Sequence, residues 1–181
     1  MKYDKTVTLA DGTVCRLRHG TETDGRAVLD VFTQTHGESD YLLTYPDEVR
    51  FDAAQEALFL ENKAKSVNEL ELLAEIDGRI VGTAGIDAVG SAYKVRHRAE
   101  MGVSVLKAYW GRGVGRALAD ACVECARNAG YTQLELQVVA DNSRAAAMYE
   151  HMGFEEYGRN PRGFDSRAAG YQTLVLMRME L

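Results

Sequence analysis

The sequence predicts an α/β fold, one mixed sheet with helices on its faces, and three observations carry that expectation. The 181 residues, nearly half of them apolar and about a quarter charged, are enough to bury one substantial core. Strand-like and helix-like patterns alternate along the chain, each bounded by turn or cap residues. No repeat, low-complexity tract or Pro-rich linker marks an internal boundary, so residues 1–181 are expected to form a single domain.

The opening reads as a hairpin, because Thr6-Val7-Thr8-Leu9 and Val14-Cys15-Arg16-Leu17 flank Asp11-Gly12, where glycine supplies the positive φ of a tight turn. Thr23 or Asp24 can cap a first helix carrying Val28, Leu29, Val31 and Phe32. A second helix is expected over 52–65, with Ala54, Ala57, Leu58 and Leu60 at helical spacing. Residues 36–50 between them show no clear period and read as a loop or broken helix. Strands over 69–76 and 79–88 meet at Asp77-Gly78, a second hairpin signal. After a basic connection, Lys94 to Arg98, come a strand over 99–106 and a helix over 113–128 that stops at Gly130. A strand over 133–139, a helix over 142–152 and strands over 155–159 and 171–179 complete the order.

Composition excludes several classes. No run reaches the roughly 18 to 20 apolar residues of a membrane span, and the first five residues lack a signal peptide's apolar stretch, so a cytoplasmic protein without a membrane partner is expected. Cys15 stands alone, and Cys122 and Cys125 fall within a helical segment rather than at the exposed start of one, so all three read as reduced packing residues. The four histidines are scattered singly, and no metal site is expected. A net charge of −6 speaks against nucleic-acid binding, which needs cations at the phosphates. It is compatible with a cationic substrate.

The most informative segment is Val103-Ser104-Val105-Leu106-Lys107-Ala108-Tyr109-Trp110-Gly111-Arg112-Gly113-Val114-Gly115-Arg116, a strand, a short loop and a helix start. The first turn of a helix has N–H groups without internal partners, and the helix dipole adds positive charge there. Alternate glycines remove side chains that would hold an anion away, and Arg112 and Arg116 add charge. Glycines serving only close packing are the bland alternative; three alternate glycines with two arginines after a strand favour the anion. The Lys-Ser/Thr of a P-loop is missing after Gly115, which disfavours ATP and GTP. A dinucleotide fingerprint would need a further glycine at position 116 or 118, where Arg116 and Leu118 stand, which disfavours NAD and FAD.

Trp110-Gly111-Arg112-Gly113-Val114-Gly115 resembles the Gln/Arg-x-x-Gly-x-Gly/Ala signature of the GCN5-related N-acetyltransferases (GNAT family). Asn142-Ser143-Arg144-Ala145-Ala146-Ala147-Met148-Tyr149-Glu150-His151-Met152-Gly153-Phe154 resembles that family's C-terminal Asn-x-x-Ala-x-x-x-Tyr-x-x-x-Gly-Phe block. Both stand in the family's order and at its usual separation. The resemblance is specific over 100–154 and general before it, and it departs at Trp110, where the pattern has Gln or Arg. It implies a central mixed, mostly antiparallel sheet with helices on both faces, and acetyl-CoA as co-substrate without a metal. It further implies that the backbone of Val103 and Val105 holds the pantetheine arm, that Gly111, Arg112, Gly113, Val114, Gly115 and Arg116 hold the pyrophosphate, and that Asn142 both caps its helix and contacts the coenzyme.

The chemistry implied is transfer of an acetyl group to a primary amine. A lysine-like amine, with a pKa of about 10, is mostly protonated at neutral pH, so a base is required. Glu100 is the candidate base, directly or through water, with a salt bridge to Arg96 or Arg98 as its structural alternative. A backbone N–H near Val105 is the expected stabiliser of the oxyanion. Tyr149 resembles the family's tyrosine that protonates the departing thiolate; its alternative is packing on the sheet. His36, Glu38, Asp40, Tyr41 and Tyr45 are expected by analogy to line the pocket of a small-molecule or peptide amine. A polyamine, a lysine and a protein N-terminus stay open as acceptors, as do a longer acyl chain and a homodimer. A coenzyme-binding sensor without turnover is the rival reading.

Overall fold

The structure is a computed structural model describing residues 1–181. Its elements follow the expected order: β1 (Asp4–Thr8), β2 (Val14–His19), α1 (Gly25–Glu38), α2 (Ala53–Lys65), β3 (Leu70–Ile76), β4 (Arg79–Ala88), β5 (Arg98–Val105), α3 (Val114–Asn128), β6 (Gln133–Val139), α4 (Ser143–Met152), β7 (Glu155–Ser166) and β8 (Gly170–Glu180). The strands form one sheet in the order β1-β2-β3-β4-β5-β6-β8-β7. Every neighbouring pair is antiparallel except β5 and β6, which run parallel. No helix is long and apolar enough to cross a membrane.

Helices cover both faces, as the resemblance implied. Alternate residues of a strand point to opposite faces, and on β4 the set Thr83, Gly85, Asp87 looks toward α1 and α2 while Gly82 lies under α3. A Cβ on Gly82 would meet Leu118 of α3 at 3.3 Å and the Ser104 carbonyl at 2.8 Å, so glycine lets α3 settle close to the sheet. The buried face of α3 is Val114, Leu118, Ala119, Ala121, Cys122, Val123, Cys125 and Ala126, and the three cysteines are all free and buried. On the other face α1 and α2 approach so closely that a Cβ on Gly25 would come within 2.6 Å of the Ala53 carbonyl oxygen.

The structure corrects two boundaries. His36 lies inside α1, which continues to Glu38, and not in a loop; it is buried and stacked on Phe32 with ring centroids 3.8 Å apart. The strand expected over 155–159 continues through Pro161 to Ser166. Proline is tolerated there because β7 is an edge strand and its pairing with β8 is interrupted between Asn160 and Phe164.

Asp24 precedes α1 as expected, but its carboxylate turns back toward the sheet. It accepts from both terminal nitrogens of Arg18 at 2.7 and 2.8 Å and from the Thr21 N–H at 2.9 Å. Arg18 also reaches Glu75 of β3 at 3.0 Å, so this mostly buried cluster ties the α1 entry to two strands. Burial alone would raise the Asp24 pKa, but Arg18 and the Thr21 N–H and hydroxyl bring it down to about 2, against about 3.9 in an unfolded chain. Because the folded value is the lower one, this stabilisation is present above pH about 4 and is lost as the pH falls through about 2. Asp24→Asn is expected to cost about 1–3 kcal/mol at pH 7, with the gap from wild type closing in acid. Urea unfolding at pH 7, 4 and 2.5 checks this.

Candidate active site

The site begins where two parallel strands part. β5 and β6 pair only at Arg98↔Gln133, Ala99↔Leu134 and Glu100↔Glu135. Beyond Glu100 the strands diverge, opening a cleft of about 950 Å3 lined from β5 by Glu100 to Val105 and from β6 by Glu135 to Val138. The Leu106 N–H donates to Val81 on the β4 side at 2.9 Å, so strand alternation turns the backbone groups of Val103 and Val105 toward the opening. The Val105 carbonyl accepts the indole N–H of Trp110 at 2.7 Å.

The glycine turn stands at one end of this opening. Gly111 and Gly113 adopt φ of +77° and +94°, left-handed values that cost other residues about 1–2 kcal/mol. The first hydrogen bond within α3 runs from the Ala117 N–H to the Gly113 carbonyl, leaving the N–H groups of Val114, Gly115 and Arg116 without helical partners. Gly111, Gly113, Val114, Gly115 and Arg116 line the cleft together with Asn142, Arg144, Met148 and Tyr149. Arg112 departs from expectation: its side chain turns to Asp11 at 2.8 Å and to the Thr13 hydroxyl at 2.6 Å. The β1–β2 turn lies against the glycine turn and presents that carboxylate. Asn142 caps α4 by accepting from the Ala145 N–H at 3.4 Å.

Glu100 lines the cleft and is exposed, and neither anticipated salt bridge forms. Arg98 pairs instead with Glu135, donating to Oε2 at 2.7 Å, and the Arg96 guanidinium stacks on Tyr93 at 4.2 Å. Tyr149 projects from α4 into the cleft, buried and edge-on to Phe154 at 5.6 Å. Burial raises its pKa well above the usual phenol value, so it holds its proton at any physiological pH.

The remaining expected residues divide. His36 and Tyr41 line the cleft, and burial lowers the His36 pKa against its contact with the Phe32 carbonyl, leaving the ring neutral. Glu38, Asp40 and Tyr45 sit in an adjoining depression. Glu38 is engaged by the Lys107 N–H at 2.6 Å, and Asp40 by the Tyr45 hydroxyl at 2.9 Å. Two cleft residues escaped sequence reasoning. Trp110 lies beneath the Arg144 guanidinium at 4.9 Å, and its sequence signal was a departure from a pattern. Glu71 projects from β3, and its signal was masked in a mostly apolar strand that also carries Glu75.

These features define a class: a mixed α/β sheet opened between two parallel strands, with free helix N–H groups at one end of the opening. Residues 32–154 match the acetyltransferase (GNAT) family, and the chain belongs to that family. It is 27% identical over 157 residues to a mycothiol acetyltransferase of Jonesia denitrificans, covering 86% of this chain and 47% of that protein. It is 33% identical over 105 residues to the N-alpha-acetyltransferase RimI of Mycobacterium tuberculosis, covering 58% of this chain and 63% of that one. The chain thus spans about half to two thirds of the length of these relatives. A solved GNAT-family acetyltransferase from Streptococcus pneumoniae matches with a TM-score of 0.88 at 26% identity, covering 92% of this chain and 99% of that one.

The turn geometry separates its glycines. Gly113→Ala is expected to lower stability by about 1–2 kcal/mol, because it forces a Cβ into left-handed backbone. Gly115, without a positive φ, would bring a Cβ only to ordinary contact with Val105 at 3.8 Å, so Gly115→Ala should change stability by less than about 0.5 kcal/mol. Urea unfolding of both variants checks the contrast.

Proposed function

We propose that the protein transfers an acetyl group from acetyl-CoA to a primary amine, with Glu100 taking the amine proton and Tyr149 supplying a proton to the departing sulfur. The observation that carries this reading is the junction of the β5–β6 opening with the free N–H groups at the start of α3. An extended amide-bearing arm can add to the β5 edge as a further strand would, and a pyrophosphate suits three unpartnered N–H groups beside Arg116. The volume of about 950 Å3 accommodates such a coenzyme and a small acceptor together. Membership of the GNAT acetyltransferase family supports the same donor.

Bound there, acetyl-CoA supplies an activated acyl carbon. The protein then has two proton tasks. An ammonium must lose its proton before nitrogen can attack, and Glu100 stands in the cleft without a competing cation. Tyr149, kept protonated by burial, faces the cleft from α4 with no hydrogen bond of its own contributing to its pKa shift. The Val103 and Val105 backbone orients the arm, and the Trp110 indole occupies one of its carbonyls. Asn142 and Arg144 stand beside the arm at the start of α4.

Tyr149→Phe is expected to lower turnover by about 100-fold, the scale of losing a general acid, with acetyl-CoA affinity changed less than about twofold. Glu100→Gln should lower kcat/KM similarly and most at neutral pH, where the amine is protonated. Free CoA release over a panel of amines, alongside equilibrium acetyl-CoA binding, measures both. Saturable acetyl-CoA binding without acceptor-dependent release from wild type would replace the transferase by a coenzyme sensor.

A further inference from the structure

The two ends of the cleft differ in charge and polarity. On the sheet face toward α1 and α2, β3 to β6 contribute Glu71, Asp87, Glu100 and Glu135, all lining the cleft. Register sets Asp87 beside Glu100 and Glu100 beside Glu135. The two that flank Glu100 are neutralised, Asp87 by the buried Lys63 ammonium and Glu135 by Arg98. Glu100, between them, has no ion-pair partner. Glu71 lies opposite Gly85, and Gly85 lies opposite Gly102. A Cβ on Gly85 would come within 2.7 Å of Glu71 Oε2, whereas one on Gly102 would meet nothing within 4 Å. The Glu71 carboxylate therefore hangs over Gly85, and Gly102, beside Gly85 on β5 and on the same strand as Glu100, leaves its position open.

The walls above this floor are apolar. Phe32, Tyr41, Phe51, Phe59 and Phe164 line the cleft here, and Leu43 at its mouth is 81% exposed. No lysine lines the cleft, and its two arginines, Arg116 and Arg144, belong to the coenzyme end. His36 is neutral by burial. A carboxylate carried by the acceptor would be repelled by acids with no cation to offset them, whereas an ammonium would be attracted by those same acids.

We propose that the acceptor is a primary amine with an apolar body and no carboxylate, its ammonium seated over Gly85 and Gly102 between Glu71 and Glu100, with Glu71 determining specificity. This rests on the transferase reading above and adds the substrate class to it. Around Glu71 stand Glu56 and Lys63 from α2 and Thr83 and Asp87 from β4, and Glu100 from β5 and the neutral His36 from α1 line the same cleft. Burial, opposed by Thr83 and Lys63 and reinforced by Asp87 and Glu56, pushes the Glu71 pKa up to about 8. The free enzyme thus gains its second counter-ion as the pH rises through about 8, below the separate gain from amine deprotonation near about 10.

The test compares CoA release with 2-phenylethylamine, phenylalaninamide, phenylalanine and ethylamine. The first two should exceed phenylalanine in kcat/KM by at least about tenfold, and phenylethylamine should exceed ethylamine by a similar factor. Glu71→Gln should raise the KM for phenylethylamine by about tenfold, remove the inflection near pH 8 and leave acetyl-CoA affinity unchanged. If that variant does not fold, Gly85→Ala, which crowds the Glu71 carboxylate, should raise the same KM. Phenylalanine used as well as its amide, or a Glu71 variant with the wild-type KM and pH profile, would overturn the acceptor assignment and leave the transferase standing. Acetyl-CoA binding without release on any of the amines would overturn both.

Discussion

The parting of β5 from β6 is the constraint on which the rest of this structure depends. A sheet normally satisfies its backbone by pairing each interior strand on both sides, and buried backbone groups left without partners are costly. Here two interior strands pair at Arg98, Ala99 and Glu100 only, and the remainder of β5 turns backbone donors and acceptors into an opening. One of them, the Val105 carbonyl, is covered by the Trp110 indole. The others face the cleft, where the proposed coenzyme arm would meet them. The antiparallel pairing of β6 with β8, continuous from Gln133 to Val139, keeps the far wall in place while the near wall stays open.

The helices divide the labour on either side of that opening. α3 and α4 begin at its edge, so both bring helix starts, with their unpaired N–H groups, to the coenzyme end. α1 and α2 cross the opposite end and contribute side chains. The end at the helix starts, where the proposed coenzyme would sit, is therefore governed by backbone and by two arginines, and the opposite end by aromatic rings and carboxylates. Lys63 and Arg98 belong to this arrangement although neither lines the cleft: each neutralises an acid flanking Glu100, so that the one left unpaired is the one the proposed chemistry needs.

Much of this was legible in the sequence because its signals were local. Asp11-Gly12 and Asp77-Gly78 mark real hairpins and Gly130 ends α3, while the positive φ of Gly111 and Gly113 is a property of the turn that the sequence reading had not drawn. Signals failed where distant residues decide. The partner of the Arg112 side chain was one such case, because the fold brings Asp11, distant in sequence, against it. Glu71 was hidden by register. Counting back from Ile76↔Arg79 would place it opposite Ala84, but a bulge between Ala74 and Glu75 shifts it onto Gly85 and so into the cleft. β7 outran its expected end because an edge strand accepts Pro161 where an interior strand would not.

Trp110 is the only tryptophan in the chain, and its place in the structure has a practical consequence. The indole is bonded to the strand edge that borders the cleft, and a guanidinium rests on its face. Excited at the red edge of indole absorption, where the nine tyrosines do not absorb, this protein therefore emits from one point on the wall of the groove. The residue that breaks the family's pattern is also a native optical probe of what enters that groove.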